Sequence, residues 1–404
     1  MRATELRALA LGLAAAVVIL ARAPSVPPYD YCTYHAAGRL FAEGSPAAVY
    51  DLAALRARHQ RLDDEGHSIG PFFYSPLYLL PARALASLPL VEAARWNRWL
   101  GAASLGLGLA CLLWRLQRGW EQAAVAAAFV VAHPVWMQLV YQNWTFLAFA
   151  LLAAAALALA RGREAPAAVA WALAIHLKAF FGVALLALVV AGRRRLAARA
   201  AAVAILLAAL ALPATGSESW RRWGSNLVRA ESRGVTPFYN KVSLAASVAR
   251  LGTAPEEWIQ PRGGVRSPLV RALFWLALPA LAFGLWRSRE DAQTAIAFGY
   301  AWVLLAVPQI WDHTEIVLFL ALPALVPRYR WLLIGLLAAT AGYNALLRPM
   351  LLAAAQGLYA AAGARLFLWL YPLLNLLTAA ALLASRPDAA APRRSPAPAP
   401  ETAA

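Results

Sequence analysis

Acidic residues, lysine and cysteine are scarce in this chain, and each scarcity excludes something. The 404 residues hold two cysteines, Cys32 and Cys111, which cannot build a disulfide framework. One falls in an expected outer loop and the other in an apolar run, so they do not support a structural metal site either. Charged residues make up 14% of the chain, where soluble domains hold about a quarter, and this argues against a soluble globular domain. Twenty acids against 37 basic residues leave a net charge of +17. In so apolar a chain that excess fits cytoplasmic loops meeting anionic lipid headgroups, and no nucleic-acid partner is expected. Only two of the basic residues are lysines, Lys178 and Lys241, so arginine does the generic surface work.

What the chain has in abundance is apolar sequence, 62% of its residues. A bilayer core of roughly 30 Å needs about 20 mainly apolar residues per helix. Apolar runs lie at 6–21, 72–90, 96–114, 121–141, 143–160, 165–192, 196–213, 268–286, 292–308, 314–327, 331–347 and 365–385. The expected fold is all-α, a polytopic transmembrane helix bundle of about 10 to 12 membrane segments, some of them re-entrant. Arg2 and Arg7 before the uncharged apolar stretch 8–21 imitate a signal peptide, but the further spans favour an uncleaved first helix.

Short basic connectors at Arg115–Arg118, Arg161–Arg163, Arg193–Arg199, Arg287–Arg289 and Arg328–Arg330 set the orientation, because basic loops stay in the cytoplasm. Segments 22–71 and 214–267 then face outward, as two extracytoplasmic loops forming an outward-facing cleft. With that topology the stretch 72–90, marked by Pro76, Pro81 and Pro89, does not cross. The stretch 165–192 is long for one span and short for two, which suits a broken hairpin with Lys178 near its tip. Residues 1–385 read as a single integral-membrane domain, and 386–404, rich in Pro and Ala, as a disordered cytoplasmic tail. No internal repeat is visible, which weighs against an inverted-repeat transporter.

Several polar residues stand out against this background. Asp30 begins a helix just beyond the first span, with Tyr34 on the same face. It reads either as an N-cap or as a surface carboxylate acting as general base on a hydroxyl, with Tyr31, Tyr34 and His35 along the approach. Tyr74 lies in the aromatic stretch opening the proline-marked helix. Gln142 and Asn143 stand at an outer helix boundary, as caps or as ligand contacts. Lys178 sits in an apolar run where an ammonium costs roughly 2.5 to 3.5 kcal/mol on insertion scales. Snorkelling would explain it, and so would binding of a phosphate as a point charge with His176 assisting. Asn240 lies in the second outer segment. Asp312, His313 and Glu315 cluster between apolar runs, as a solvated turn or as part of one outward site with Asp30.

Taken in order, these residues resemble glycosyltransferase family 87, membrane mannosyltransferases of the C-type fold that use polyprenyl-phosphate sugar donors. The resemblance rests on Asp-Tyr-x-x-Tyr-x-Ala-Ala from Asp30 with a later Tyr-Asp ending at Asp51, and on Tyr-Ser-Pro at Tyr74 to Pro76. It continues through Gln142-Asn143, Lys178, Asn-x-x-Ser-Leu from Asn240, and Trp311-x-His313. The family usually has Gly where this chain has Tyr141, and Pro where it has Ala179. The resemblance implies a hexosyltransferase, without cofactor or metal, with Asp30 as catalytic base. It places Lys178, His176 and His313 on the donor phosphate, and Tyr34, His35, Tyr74, Gln142, Asn143, Asn240 and Asp312 on substrate. The implied partners are a polyprenyl-phosphate sugar donor, a glycolipid or glycan acceptor, and membrane lipids. The implied location is the cell inner (plasma) membrane, multi-pass, with the site extracytoplasmic. A flippase or transporter of lipid-linked glycans, and a polysaccharide ligase using a diphosphate lipid, are the alternatives.

Overall fold

The computed structural model describes residues 3–21, 29–60, 70–232, 241–253, 268–307, 310–326 and 369–384, with 235, 237, 257, 264, 265 and 329. The apolar run 331–347, the tail 386–404 and Asn240 lie outside them. Among the described residues the chain is helical and has no strand; the extended pairings are two isolated antiparallel bridges, Val235 with Val265 and Lys241 with Trp311.

In chain order the helices are α1 (Ala3–Ala21), α2 (Tyr29–Ala42), α3 (Leu52–Gln60), α4 (Leu79–Ala86), α5 (Leu90–Leu113), α6 (Gly119–Val131) and α7 (His133–Tyr141). They continue with α8 (Thr145–Ala160), α9 (Glu164–Leu177), α10 (Val183–Val190), α11 (Arg194–Thr215), α12 (Ser217–Ser232), α13 (Leu244–Leu251), α14 (Pro268–Arg287) and α15 (Ala292–Ala306). A 3-10 helix, Asp312–Ala321, leads into the short α16 (Leu322–Leu325), and α17 (Leu370–Ala384) closes the bundle.

Among the described residues α1, α11 and α14 are long and apolar enough to cross a bilayer, and α6 with α7 makes a fourth span if the bent pair counts as one. Exposed apolar side chains on α11 and α14, among them Ile205, Leu210, Trp275 and Leu276, fit a lipid-facing surface. The chain is a membrane protein. Many of its apolar runs are nevertheless cut into shorter pieces, each cut having a local cause. The 45° bend between α6 and α7 falls at Ala132, held extended where Pro134 sits in the first turn of α7. The run 72–90 folds as a 3-10 turn, Pro76–Tyr78, and the eight-residue α4. At 1.5 Å per residue α4 is about 12 Å long, far short of a bilayer. The run 165–192 breaks at Lys178, whose backbone is extended (φ −144°, ψ 109°) between α9 and the 3-10 turn Ala179–Gly182. The outer segments expected as loops contain α2 and α3 in one case and α12 and α13 in the other.

Small residues let the long helices approach closely. A methyl group placed on Gly12 of α1 would lie 2.6 Å from the Gly106 carbonyl oxygen of α5, so the two backbones touch there. Close small-residue contact suits a membrane, where lipid removes the hydrophobic drive between helices.

Ion pairs and ring contacts sort the helix ends. Arg161, following α8, stands 3.9 Å over the Trp114 ring at the end of α5 and 3.7 Å from Glu5 of α1. Arg115 bonds Gln293 at the start of α15. Three of the basic connectors thus gather at one end of the bundle. The starts of α5 and α8 lie at the other end, where Trp144 Nε1 donates to Asn97 Oδ1 at 2.9 Å.

Candidate active site

The candidate site forms at that second end, where α2, α7, α8 and the 3-10 helix meet. Helix α7 ends on Gln142, the one described non-glycine residue with positive φ (53°). A left-handed residue reverses the chain direction sharply, at some conformational cost for a side chain that is not glycine. The next residue, Asn143, is thereby delivered into the helix cluster, and it is buried.

The Asn143 amide organises the site. Its Oδ1 accepts the Thr145 backbone N–H at 2.9 Å, which fixes the nitrogen on the opposite side. Nδ2 then donates to Asp30 Oδ2 at 3.1 Å and to His313 Nε2 at 2.8 Å. An amide nitrogen only donates, so His313 Nε2 is the accepting ring atom and the imidazole proton sits on Nδ1. The backbone carbonyl of Asn143 is held by Gln138 Nε2. Asp30 lies in the first turn of α2, where a carboxylate is stabilised by the exposed N–H groups. The Tyr141 ring stands 5.5 Å from that of His313.

Lys178 arrives from the helix break. Its Nζ donates to Thr314 Oγ1 at 2.9 Å, one residue along from His313, and the charge of Asp30 acts on it. The side chains of Asp30, Lys178, His313 and Asn143 therefore share a small volume. Thr314 was not anticipated from the sequence, although its position between two ionisable residues marked the stretch as polar.

An aromatic wall backs Asp30. Tyr34 stands 5.2 Å from Tyr74 and 5.0 Å from Trp144, ring centre to ring centre. The Tyr34 and Tyr74 hydroxyls share a 2.9 Å hydrogen bond, and the Tyr74 oxygen accepts the Trp144 N–H at 3.3 Å. Burial, followed by the nearby Tyr74 and Asp30, pushes the Tyr34 phenol well above its ordinary value, so it serves as a neutral hydroxyl. Trp144 and Asn97, which brace this wall, also escaped the sequence reading.

Other residues named from the sequence lie elsewhere. His35 turns away from Asp30, its Nε2 meeting the Leu88 carbonyl at 3.0 Å. Burial lowers its pKa, although the bond to Leu88 works the other way. The Gln142 amide fits α5, where its oxygen accepts from Arg98 Nη2 at 2.9 Å and its nitrogen donates to the Ala94 carbonyl at 3.2 Å. His176 uses both ring nitrogens, on Ser75 Oγ at 3.1 Å and the Ala204 carbonyl at 2.9 Å. Glu315 points to α17 rather than to Asp30. The Asp312 side chain lies outside the described set. Among the described residues no group of three or more His, Cys, Asp or Glu side chains could hold a metal ion.

Helices broken around a carboxylate, an amide, an imidazole and a lysine, beside helices long and apolar enough to cross a bilayer, define a polytopic membrane protein with the makings of a polar catalytic site. The family model of glycosyltransferase family 87 matches residues 72–308, more than half of the chain, and the protein belongs to that family. It is an enzyme that transfers sugar. No curated protein and no solved structure matches the chain. Tyr74, Asn143 and Lys178 fall within the matched segment, while Asp30 and His313 flank it on either side.

Proposed function

We propose that this glycosyltransferase moves a hexose, mannose in our reading, from a polyprenyl-phosphate donor to an acceptor hydroxyl with inversion at the anomeric carbon. The observation that carries the proposal is the Asn143 amide joining Asp30 to His313, with Lys178 one residue away on Thr314. A single carboxylate suffices for one displacement in which the acceptor oxygen attacks C1 and the lipid phosphate departs. Glycoside hydrolysis, by contrast, generally uses a pair of carboxyl groups.

In this reading Asp30 takes the acceptor proton as the new C1–O bond forms, a contribution of about 10² to 10⁴-fold. The electrons of the breaking C1–O bond remain on the phosphate, whose growing charge Lys178 offsets. Asn143 holds the carboxylate in place while His313 faces the same volume. Tyr34, Tyr74 and Trp144 supply a cluster of mutually tilted aromatic rings beside Asp30, braced by the bond between the two hydroxyls. The site stands at the end of the bundle opposite three basic connectors, and by the positive-inside rule that end faces out of the cytoplasm. The reading therefore puts transfer on the outer face of the cell membrane.

Family membership sets aside a purely non-catalytic flippase. The donor is tested by giving the purified full chain polyprenyl-phosphate mannose, the diphosphate-linked sugar and a nucleotide sugar in parallel. Transfer from the monophosphate is expected. Turnover of the diphosphate or the nucleotide sugar in its place would refute the donor assignment.

A further inference from the structure

The 3-10 helix Asp312–Ala321 has three residues per turn, so successive side chains point about 120° apart. Three consecutive polar residues accordingly serve three different partners. His313 meets Asn143, Thr314 meets Lys178, and Glu315 Oε1 accepts from Asn375 Nδ2 of α17 at 2.9 Å. All three residues are almost wholly buried.

Helix α17 is built to receive Glu315. Apart from Pro372 its non-aliphatic residues are Tyr371, Asn375 and Thr378, spaced i, i+4 and i+7 on one face. That face is buried, whereas Leu373, Leu376 and Leu377 are about half exposed on the other. A helix with its polar stripe inward and its leucines outward suits lipid, and the stripe requires polar partners within the protein. Glu315 is one. His133, whose ring lies 6.3 Å from that of Tyr371, is at the start of α7, the same helix that ends by delivering Asn143. Helix α7 thus leads from this second buried polar cluster to Asn143, and the first turn of the 3-10 helix touches both, through Glu315 and His313.

We infer that Glu315 is a positioning residue of the transferase, its hydrogen bond to Asn375 setting the rotation of the 3-10 helix that aims His313 and Thr314. A turn of the 3-10 helix by a fraction of its period would move His313 off Asn143 and Thr314 off Lys178 together. The inference rests on the proposed function for its effect on rate, but not for its effect on His313.

The test combines kinetics with ¹⁵N-histidine solid-state NMR of the full chain in bilayers, His313 being assigned by difference against a His313→Gln protein. In the native protein His313 should show Nε2 unprotonated and Nδ1 protonated. Glu315→Leu, and Glu315→Leu with Asn375→Leu, are expected to mix the two tautomers and to lower kcat about 10- to 100-fold, with donor KM changed less than about 3-fold. Glu315→Gln keeps an acceptor for Asn375 and should restore the native tautomer and most of the rate. The double variant removes both polar groups at once and so leaves neither one buried and unsatisfied.

A native tautomer and rate in the Leu variants would overturn the inference. So would a Gln variant as impaired as Leu, since the charge rather than the hydrogen bond would then matter. Failure of the double variant to fold would overturn it too, by making the pair a requirement of folding rather than of aim. If the native protein transfers nothing from polyprenyl-phosphate mannose, the donor assignment fails while the tautomer measurement still decides the role of Glu315.

Discussion

Asn143 donates to the Asp30 carboxylate across 3.1 Å, and the same amide nitrogen reaches His313 at 2.8 Å. The two elements that flank the family-matched segment are thus joined through a residue inside it. Because Thr145 N–H fixes the amide oxygen, one half of the Asn143 amide serves the start of α8 and the other faces Asp30 and His313.

Asn143→Asp keeps an acceptor for Thr145 and replaces the amide donor by a second carboxyl group against Asp30, so that the two share a proton. The variant should lose some unfolding temperature at neutral pH, and kcat should fall about 10²-fold as the preorganised amide donor and the free base are both lost. Paired thermal unfolding and steady-state kinetics check this, and an unchanged kcat would mean that the amide only caps α8.

The two tyrosines should differ in what they contribute to stability. Tyr34→Phe removes one hydroxyl of a pair, at a cost of about 0.5 to 1.5 kcal/mol. Tyr74→Phe also strips the buried Trp144 N–H of an acceptor, which should raise the cost to about 1 to 3 kcal/mol. Thermal unfolding in detergent ranks the two, and equal losses would contradict the bond to Trp144.

His35 predicts a pH dependence in the acid range. Its folded pKa lies below the ordinary value of about 6.5, chiefly through burial, which outweighs the bond to Leu88, with the nearby guanidinium groups of Arg39 and Arg58 adding to it. The fold therefore favours the neutral ring. That contribution is fully present above pH about 6.5 and fades as the pH falls from there through the folded pKa. The native protein should lose more of its unfolding temperature between pH 7.5 and 5 than a His35→Gln variant; parallel curves would refute it.

Much of the site could be read from the sequence, because buried polar residues in an apolar chain are conspicuous. Asp30, Asn143, Lys178 and His313 stood out by chemical type, and the structure brings them together. Direction was harder to read. Asp30 and Tyr34 share a face because they are four apart on α2, and His35, one residue further, is turned toward Leu88. Gln142 and Asn143 are adjacent, yet the left-handed backbone at Gln142 sends them to different neighbours. Glu315 groups with Asp312 and His313 in one outward site by sequence, but the 3-10 period sends it to α17. The all-helical fold followed from composition, but the broken spans are shorter than the apolar runs suggested. The break at Lys178 was legible from the length of its apolar run, whereas the bend at Ala132 was not, since 121–141 has the length of one span.

The most direct test of the account is the transfer rate of an Asp30→Asn protein, supplied with polyprenyl-phosphate mannose after correct insertion has been verified. Asn keeps the size of the side chain and removes the base, so kcat should fall by about 10² to 10⁴-fold with little change in donor KM. Native activity in a correctly inserted Asp30→Asn protein would contradict the assignment of Asp30 as the base.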